Sequence, residues 1–131
     1  MNYKEIIQRS KKSGACREAL KWAQGVSSDE EFWAGLKVCW MKWLARKPWI
    51  DAAVQKRLVA YNSVSINEAL AGGTAIVPEV QMRLAEDSDD WVRIALARNT
   101  AIVPEAQMIL VKDKDDWVRK NLASIIDDIR G

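Results

Sequence analysis

The strongest constraint on this chain is an internal repeat. Residues 74–99, TAIVPEVQMRLAEDSDDWVRIALARN, align without a gap on residues 100–125, TAIVPEAQMILVKDKDDWVRKNLASI, and 17 of the 26 positions are identical. A period this short holds about two helices per copy, and isolated helices below about 12 residues are marginal in water. The copies must therefore bury their apolar faces on one another. One period further back, Val54, Gln55, Arg57 and Leu58 fall under Val80, Gln81, Arg83 and Leu84, and Ala69-Leu70-Ala71 fall under Ala95-Leu96-Ala97. A degenerate first copy thus spans 48–73, and residues 48–125 are expected to form three stacked helix pairs with no β-strand.

The punctuation within each copy supports two helices. Pro78 and Pro104 suit a first helical turn, where the missing N–H has no intrahelical partner, and Glu79 and Glu105 beside them complement the positive helix end. Leu84 and Leu110 point inward from that first helix. Asp89 and Asp115 are placed to cap a second helix, since a short carboxylate can accept from the free N–H groups of the first turn. Val92, Ala95 and Leu96, with Val118 and Leu122 in the next copy, give the second helix its apolar face.

These residues resemble the variant leucine-rich repeat, a relative of HEAT repeats that pairs a short helix with an α-helix. The pattern P-x-x-x-x-x-L-x-x-D-x-D-x-x-V-R-x-x-L-A runs through Pro78, Leu84, Asp87, Asp89, Val92, Arg93, Leu96 and Ala97. It recurs in Pro104, Leu110, Asp113, Asp115, Val118, Arg119, Leu122 and Ala123. The resemblance covers about half the chain and implies an all-α fold, a short α-solenoid with an N-terminal helical cap. It implies no ligand, because such repeats are scaffolds. A well-known relative carries an iron-sulfur cluster on an N-terminal cysteine group; this chain has no such group, so no cofactor is expected. The spacing of Asp87 to Arg93, and of Asp113 to Arg119, looks like the Asp and Arg ladder that joins neighbouring HEAT units.

Trp91 and Trp117 open the second helix of their copies, directly after paired aspartates, and one period apart they project from the same side. Two roles suit them: indoles lying across the neighbouring unit as packing residues, or a protein-binding face flanked by Asp90 and Asp116. The binding face is the site expected here.

The N-terminal half is built differently. Residues 1–61 carry 12 basic and 6 acidic side chains (12 − 6 = +6), residues 62–131 carry 8 and 12 (8 − 12 = −4), and five of the seven tryptophans precede residue 50. A helix is predicted from near Ser13 to Gly25, a favoured residue just past a helix end. Ser28 with Glu31 has the form of a capping box, predicting a second helix that runs to about Lys47 before Pro48 stops it. Trp33, Leu36, Trp40, Trp43, Leu44 and Lys47 would form its one broad face. The run A-C-R-E-A-L-K-W, followed by F-W and C-W-M-K-W-L-A, resembles an N-terminal module of uncharacterised bacterial and phage proteins, and that resemblance implies no chemistry. The division expected is residues 1–47, a Trp-rich basic helical module, and residues 48–131, the repeat stack, in one compact unit.

Function follows mainly by exclusion. Histidine is absent, which removes the commonest general base, the imidazole metal ligand and His-dependent triads. Cys16 and Cys39 are too far apart for a zinc knuckle or a CxxC pair, and both are expected to be buried structural thiols. The carboxylates Asp87, Asp89, Asp90 and Asp113, Asp115, Asp116 lack the glycine and closing glutamate of an EF-hand loop, so helix capping is their expected role. No window has the apolar length of a membrane span, and MNYKEIIQRSKK lacks the core of a signal peptide, so a cytoplasmic protein is expected. The expected function is non-enzymatic: an adaptor or inhibitor that binds another protein through its repeat surface, a phage-encoded inhibitor of a host defence complex being one form of it. The alternative, nucleic-acid or nucleoprotein binding through the basic half, would use Lys11, Lys12, Arg17, Lys21, Lys42, Arg46 and Lys47 with tryptophans available for stacking.

Overall fold

The computed structural model describes residues 1–130, so Gly131, the last residue of the expected repeat stack, lies outside it. The described residues form ten helices and no strand: α1 (Tyr3–Lys12), α2 (Arg17–Ala23), α3 (Asp29–Gly35), α4 (Val38–Ala45), α5 (Ala52–Ala60), α6 (Val64–Ala71), α7 (Pro78–Ala85), α8 (Asp90–Ala97), α9 (Pro104–Leu110) and α10 (Asp116–Arg130). The fold is all-α. No helix among the described residues is long and apolar enough to cross a membrane.

The helices lie in two layers. α4, α6, α8 and α10 pack side by side in that order, while α5, α7 and α9 form a second row, and each of α5, α7 and α9 also packs on the helix that follows it. The 26-residue interval governs both rows, since α6, α8 and α10 start at Val64, Asp90 and Asp116 and α5, α7 and α9 at Ala52, Pro78 and Pro104. α4, starting at Val38, keeps the same interval.

The core repeats with it. Phe32, Leu58, Leu84 and Leu110 are all buried at one position, and Leu44, Leu70, Leu96 and Leu122 at another. Burial of each such side chain contributes about 1.5–3 kcal/mol. The helix starts follow from local chemistry. Pro78 and Pro104 occupy the first turns of α7 and α9. Asp51 accepts from the Val54 N–H at 3.0 Å to cap α5, and Asp89 accepts from the N–H groups of Trp91 and Val92 to cap α8.

Buried amides stitch successive copies together. Gln55 donates from Nε2 to the Ile50 and Ala75 carbonyls, and its Oε1 accepts from the Val77 N–H at 2.8 Å. Gln81 repeats the arrangement with the Ile76 and Ala101 carbonyls and the Val103 N–H. Each glutamine thus satisfies loop backbone of its own copy and the next, where an orphaned group would cost about 1–3 kcal/mol.

The N-terminal half departs from expectation in three ways. The single helix predicted from Ser28 to Lys47 is two helices, broken at Leu36 and Lys37, whose ψ values of 123° and 150° are extended. Only half of the expected capping box forms: Ser28 Oγ accepts from the Glu31 N–H at 3.1 Å, while the Glu31 carboxylate accepts from the N–H and hydroxyl of Ser27 rather than from the Ser28 N–H. Just before the break Gly35 passes so close to the Trp22 indole that a Cβ there would lie 2.8 Å from Cζ2, and the extended residues after it turn the chain so that α4 runs alongside α6. Second, α2 begins at Arg17 rather than near Ser13, because Gly14 holds a left-handed φ of 84° and ends α1 there. Third, α1 itself was not expected. Asn2 caps it, accepting from the Glu5 N–H, and the chain's amino terminus donates to Asp51 at 2.6 Å.

Both thiols are exposed, correcting the expectation that Cys16 and Cys39 are buried. Cys16 is the residue before α2, outside its helix. Cys39 falls in the first turn of α4, at the position that Ser65, Trp91 and Trp117 hold in α6, α8 and α10, and all four are exposed.

Candidate functional site

The approach to α8 is a short ladder of aspartates, each assigned by its hydrogen bonds. The Asp89 N–H donates to Asp87 Oδ1 at 2.9 Å, and Asp89 Oδ1 in turn accepts from the Trp91 N–H at 2.8 Å. One period later the Asp115 N–H donates to Asp113 Oδ1 at 2.9 Å and Asp115 Oδ1 accepts from the Trp117 N–H at 2.8 Å. The two turns are copies of each other, which sets both tryptophans at the same station of adjacent, packed helices. Trp91 is 63% exposed and Trp117 is 67% exposed, so neither lies across the neighbouring unit as a packing residue. Asp90 and Asp116 are exposed beside them. The Lys120 ammonium stands 5.4 Å from the Trp117 ring centroid, and Arg119 pairs with Asp116.

Between the two turns lies a cleft lined by Ser88, Asp89, Asp90, Arg93, Lys114 and Asp115. Arg93 is its buried wall. Its Nε donates to Asp113 Oδ2 at 2.7 Å and its Nη1 to the Asp87 carbonyl at 2.7 Å. The inter-copy ladder expected from spacing therefore runs from Arg93 to the aspartate of the following copy. Asp87 is engaged from the preceding copy by Asn67, whose Nδ2 donates to its Oδ2 at 3.0 Å. With Asp87, Asp89, Asp113 and Asp115 committed to these bonds, no three metal-ligating side chains converge among the described residues.

The basic residues occupy separate surfaces. Lys11, Lys12, Arg17, Lys21 and Arg46 are exposed, and Lys42 and Lys47 are half-buried. Among the described residues none of the seven forms an ion pair. Lys42 and Arg46 line a groove with Ser65, Glu68, Gly72 and Gly73, whereas Lys12 lines a different, shallow cleft on α1 with Glu5, Gln8 and Arg9. Lys47 is drawn onto an aromatic face, its ammonium 4.3 Å from the Trp43 centroid.

Sequence reasoning missed two features near these sites. The inward glutamines carried a signal, their recurrence at the repeat interval. The other is an apolar cleft of about 380 Å³ between α1, α2 and α4, hidden because its walls come from helices whose relative placement no local pattern encodes. No protein-family model, curated protein or solved structure matches this chain.

Proposed function

We propose that the chain is a non-enzymatic, cytoplasmic binding protein: a short HEAT-like solenoid over residues 48–131, capped by the Trp-rich module of residues 1–47, that docks another protein on the face bearing Trp91 and Trp117. The observation that carries this reading is the pair of indoles, 63% and 67% exposed at equivalent stations of α8 and α10. Large apolar side chains clustered on a surface mark interaction sites, and tryptophan is enriched among residues whose truncation weakens binding by about 2 kcal/mol or more. The turns that set the two helix starts are held by repeated backbone-to-carboxylate hydrogen bonds, so the stations of the two indoles are fixed before docking. Asp90 and Asp116 beside them suit a partner with basic groups around an apolar centre. An inhibitor that occludes a host complex would need no more than such a face.

The test separates binding from packing. Trp91→Ala with Trp117→Ala should abolish retention of the specific partner captured by the wild-type chain, with a melting temperature unchanged to within about 2 °C, as surface substitutions are usually within ±0.5 kcal/mol. A double variant that melts well below wild type, or that still retains the partner, would remove this reading.

A second reading, nucleic-acid binding, is favoured by one observation: Lys42 and Arg46 share a groove and neither is paired with a carboxylate. Binding of this kind must weaken steeply with salt, because neutralised phosphates release counterions. No mobility shift of single- or double-stranded probes at low salt would exclude it.

A further inference from the structure

The cleft between α1, α2 and α4 has about 380 Å³ of space, within the range of small-ligand sites. Its walls include Ile6, Leu20, Trp22, Leu36, Trp40 and Trp43. The aromatic side is internally braced, with Trp22 packed 5.7 Å from Phe32 and 5.4 Å from Trp40 between ring centroids. Ser10 is polar but already used, since its Oγ donates to the Ile6 carbonyl at 2.7 Å. The interior thus offers a ligand almost nothing but apolar contact.

The edge is different in kind. Cys16 and Cys39, from the starts of α2 and α4, both line the cleft and both are exposed. The Lys37 ammonium stands 5.0 Å from the centroid of Trp40, one of the wall rings. Its present partner is Glu18 at 3.0 Å, and both side chains are largely exposed. An exposed pair of this kind is screened by water and contributes little, so Lys37 can exchange Glu18 for another anion at little cost. A second ammonium, Lys47, lies over the wall ring Trp43 and forms no ion pair among the described residues.

We infer that this cleft is a binding site for a single-chain amphipathic carboxylate, its alkyl chain among Trp22, Leu36, Trp40 and Trp43 and its carboxylate at Lys37. The assignment follows from complementarity: an interior walled mainly by apolar and aromatic side chains selects the chain, and a cation beside the wall ring Trp40 selects the charged head. It is independent of the Trp91 and Trp117 face.

Dodecanoate, kept monomeric below its micelle concentration, is the probe. A bromine-labelled dodecanoate should quench tryptophan fluorescence saturably, and unlabelled dodecanoate should slow maleimide labelling of Cys16 and Cys39. Ala19→Trp and the milder Ala15→Leu fill the cleft from α2 and from the α1–α2 turn; whichever keeps the wild-type helical circular dichroism should weaken binding by about tenfold or more, 1.4 kcal/mol by the affinity relation. Lys37→Glu should weaken dodecanoate severalfold and leave dodecanol unchanged. The site is overturned by an absence of saturable quenching, or by undiminished quenching in a folded filled variant. Equal affinity for dodecanol and dodecanoate overturns the carboxylate assignment, and binding to anionic lipid vesicles without binding to monomeric dodecanoate overturns the single-chain ligand.

Discussion

Arg93 and Asp113 form an ion pair between successive copies, Nε to Oδ2 at 2.7 Å, with side chains only 9% and 7% exposed. Two further bonds complete it, from Arg93 to the Asp87 carbonyl and from the Asp115 N–H to Asp113. Removing one partner leaves the other charge buried and unpaired, which costs about 3–5 kcal/mol. Arg93→Met and Asp113→Asn should each lose that order of stability in urea unfolding. The double variant should lose less than the sum, with a coupling energy of about 0.5–3 kcal/mol. Additive losses would show that the pair does not join the two copies energetically.

Gln81 and Gln107 occupy the same station of consecutive copies, yet their surroundings differ. Gln81 is buried and bonds backbone of the next copy at the Ala101 carbonyl and the Val103 N–H, whereas Gln107 donates only within its own copy, to the Ile102 carbonyl. Gln81→Leu should therefore cost about 2–4 kcal/mol, since it orphans several backbone groups at about 1–3 kcal/mol each. Gln107→Leu should cost less than about 1 kcal/mol. Equal losses in thermal or denaturant unfolding would refute the stitching role.

What the sequence made legible follows from where its information is local. The helix pairs of residues 74–125 could be read because Pro78, Asp89 and Leu84 each act within a turn or two of themselves, and the exact interval doubled the signal. The equal placement of Trp91 and Trp117 came from the same source. The helix break and the apolar cleft, where distant residues meet, were not legible. Trp33, Leu36, Trp40 and Trp43 keep helical spacing across a break at Leu36 and Lys37, and the close contact of Trp22 with Gly35 beside it joins residues 13 apart in different helices.

Gly35→Ala tests that contact directly. The added methyl would lie 2.8 Å from Trp22 Cζ2, and the ring is held by Phe32 and Trp40, so it cannot swing aside freely. Overpacking of this kind costs about 1–3 kcal/mol, and the near-ultraviolet circular dichroism of the tryptophan cluster should change with it. Gly25→Ala, whose methyl would meet only the Trp22 carbonyl oxygen at 3.7 Å, should be close to neutral. Unchanged stability and spectrum in Gly35→Ala would show that the indole does not pack this tightly on Gly35.

The amino terminus and Asp51 give the fold a pH dependence at both ends of the range. Burial pushes the Asp51 carboxyl up, but the bonds from the terminal amine and the Val54 N–H outweigh it and hold the carboxyl below its ordinary value of 3.8. The hydrogen bond to Asp51 raises the terminal amine above its ordinary 8.0. A lowered carboxyl contributes stability that is present above the unfolded value and lost as pH falls through the folded one; a raised amine contributes stability that is present below 8.0 and lost as pH rises through its folded value. Wild-type stability should therefore decline on the alkaline side of pH 8 as the amine deprotonates. Asp51→Asn removes the charge that holds the amine and also weakens the cap of α5. Its stability should be lower at neutral pH and flatter from neutral to alkaline pH than that of wild type, measured as denaturant midpoints across the series. An alkaline decline of equal slope in both proteins would show that this pair is not its origin.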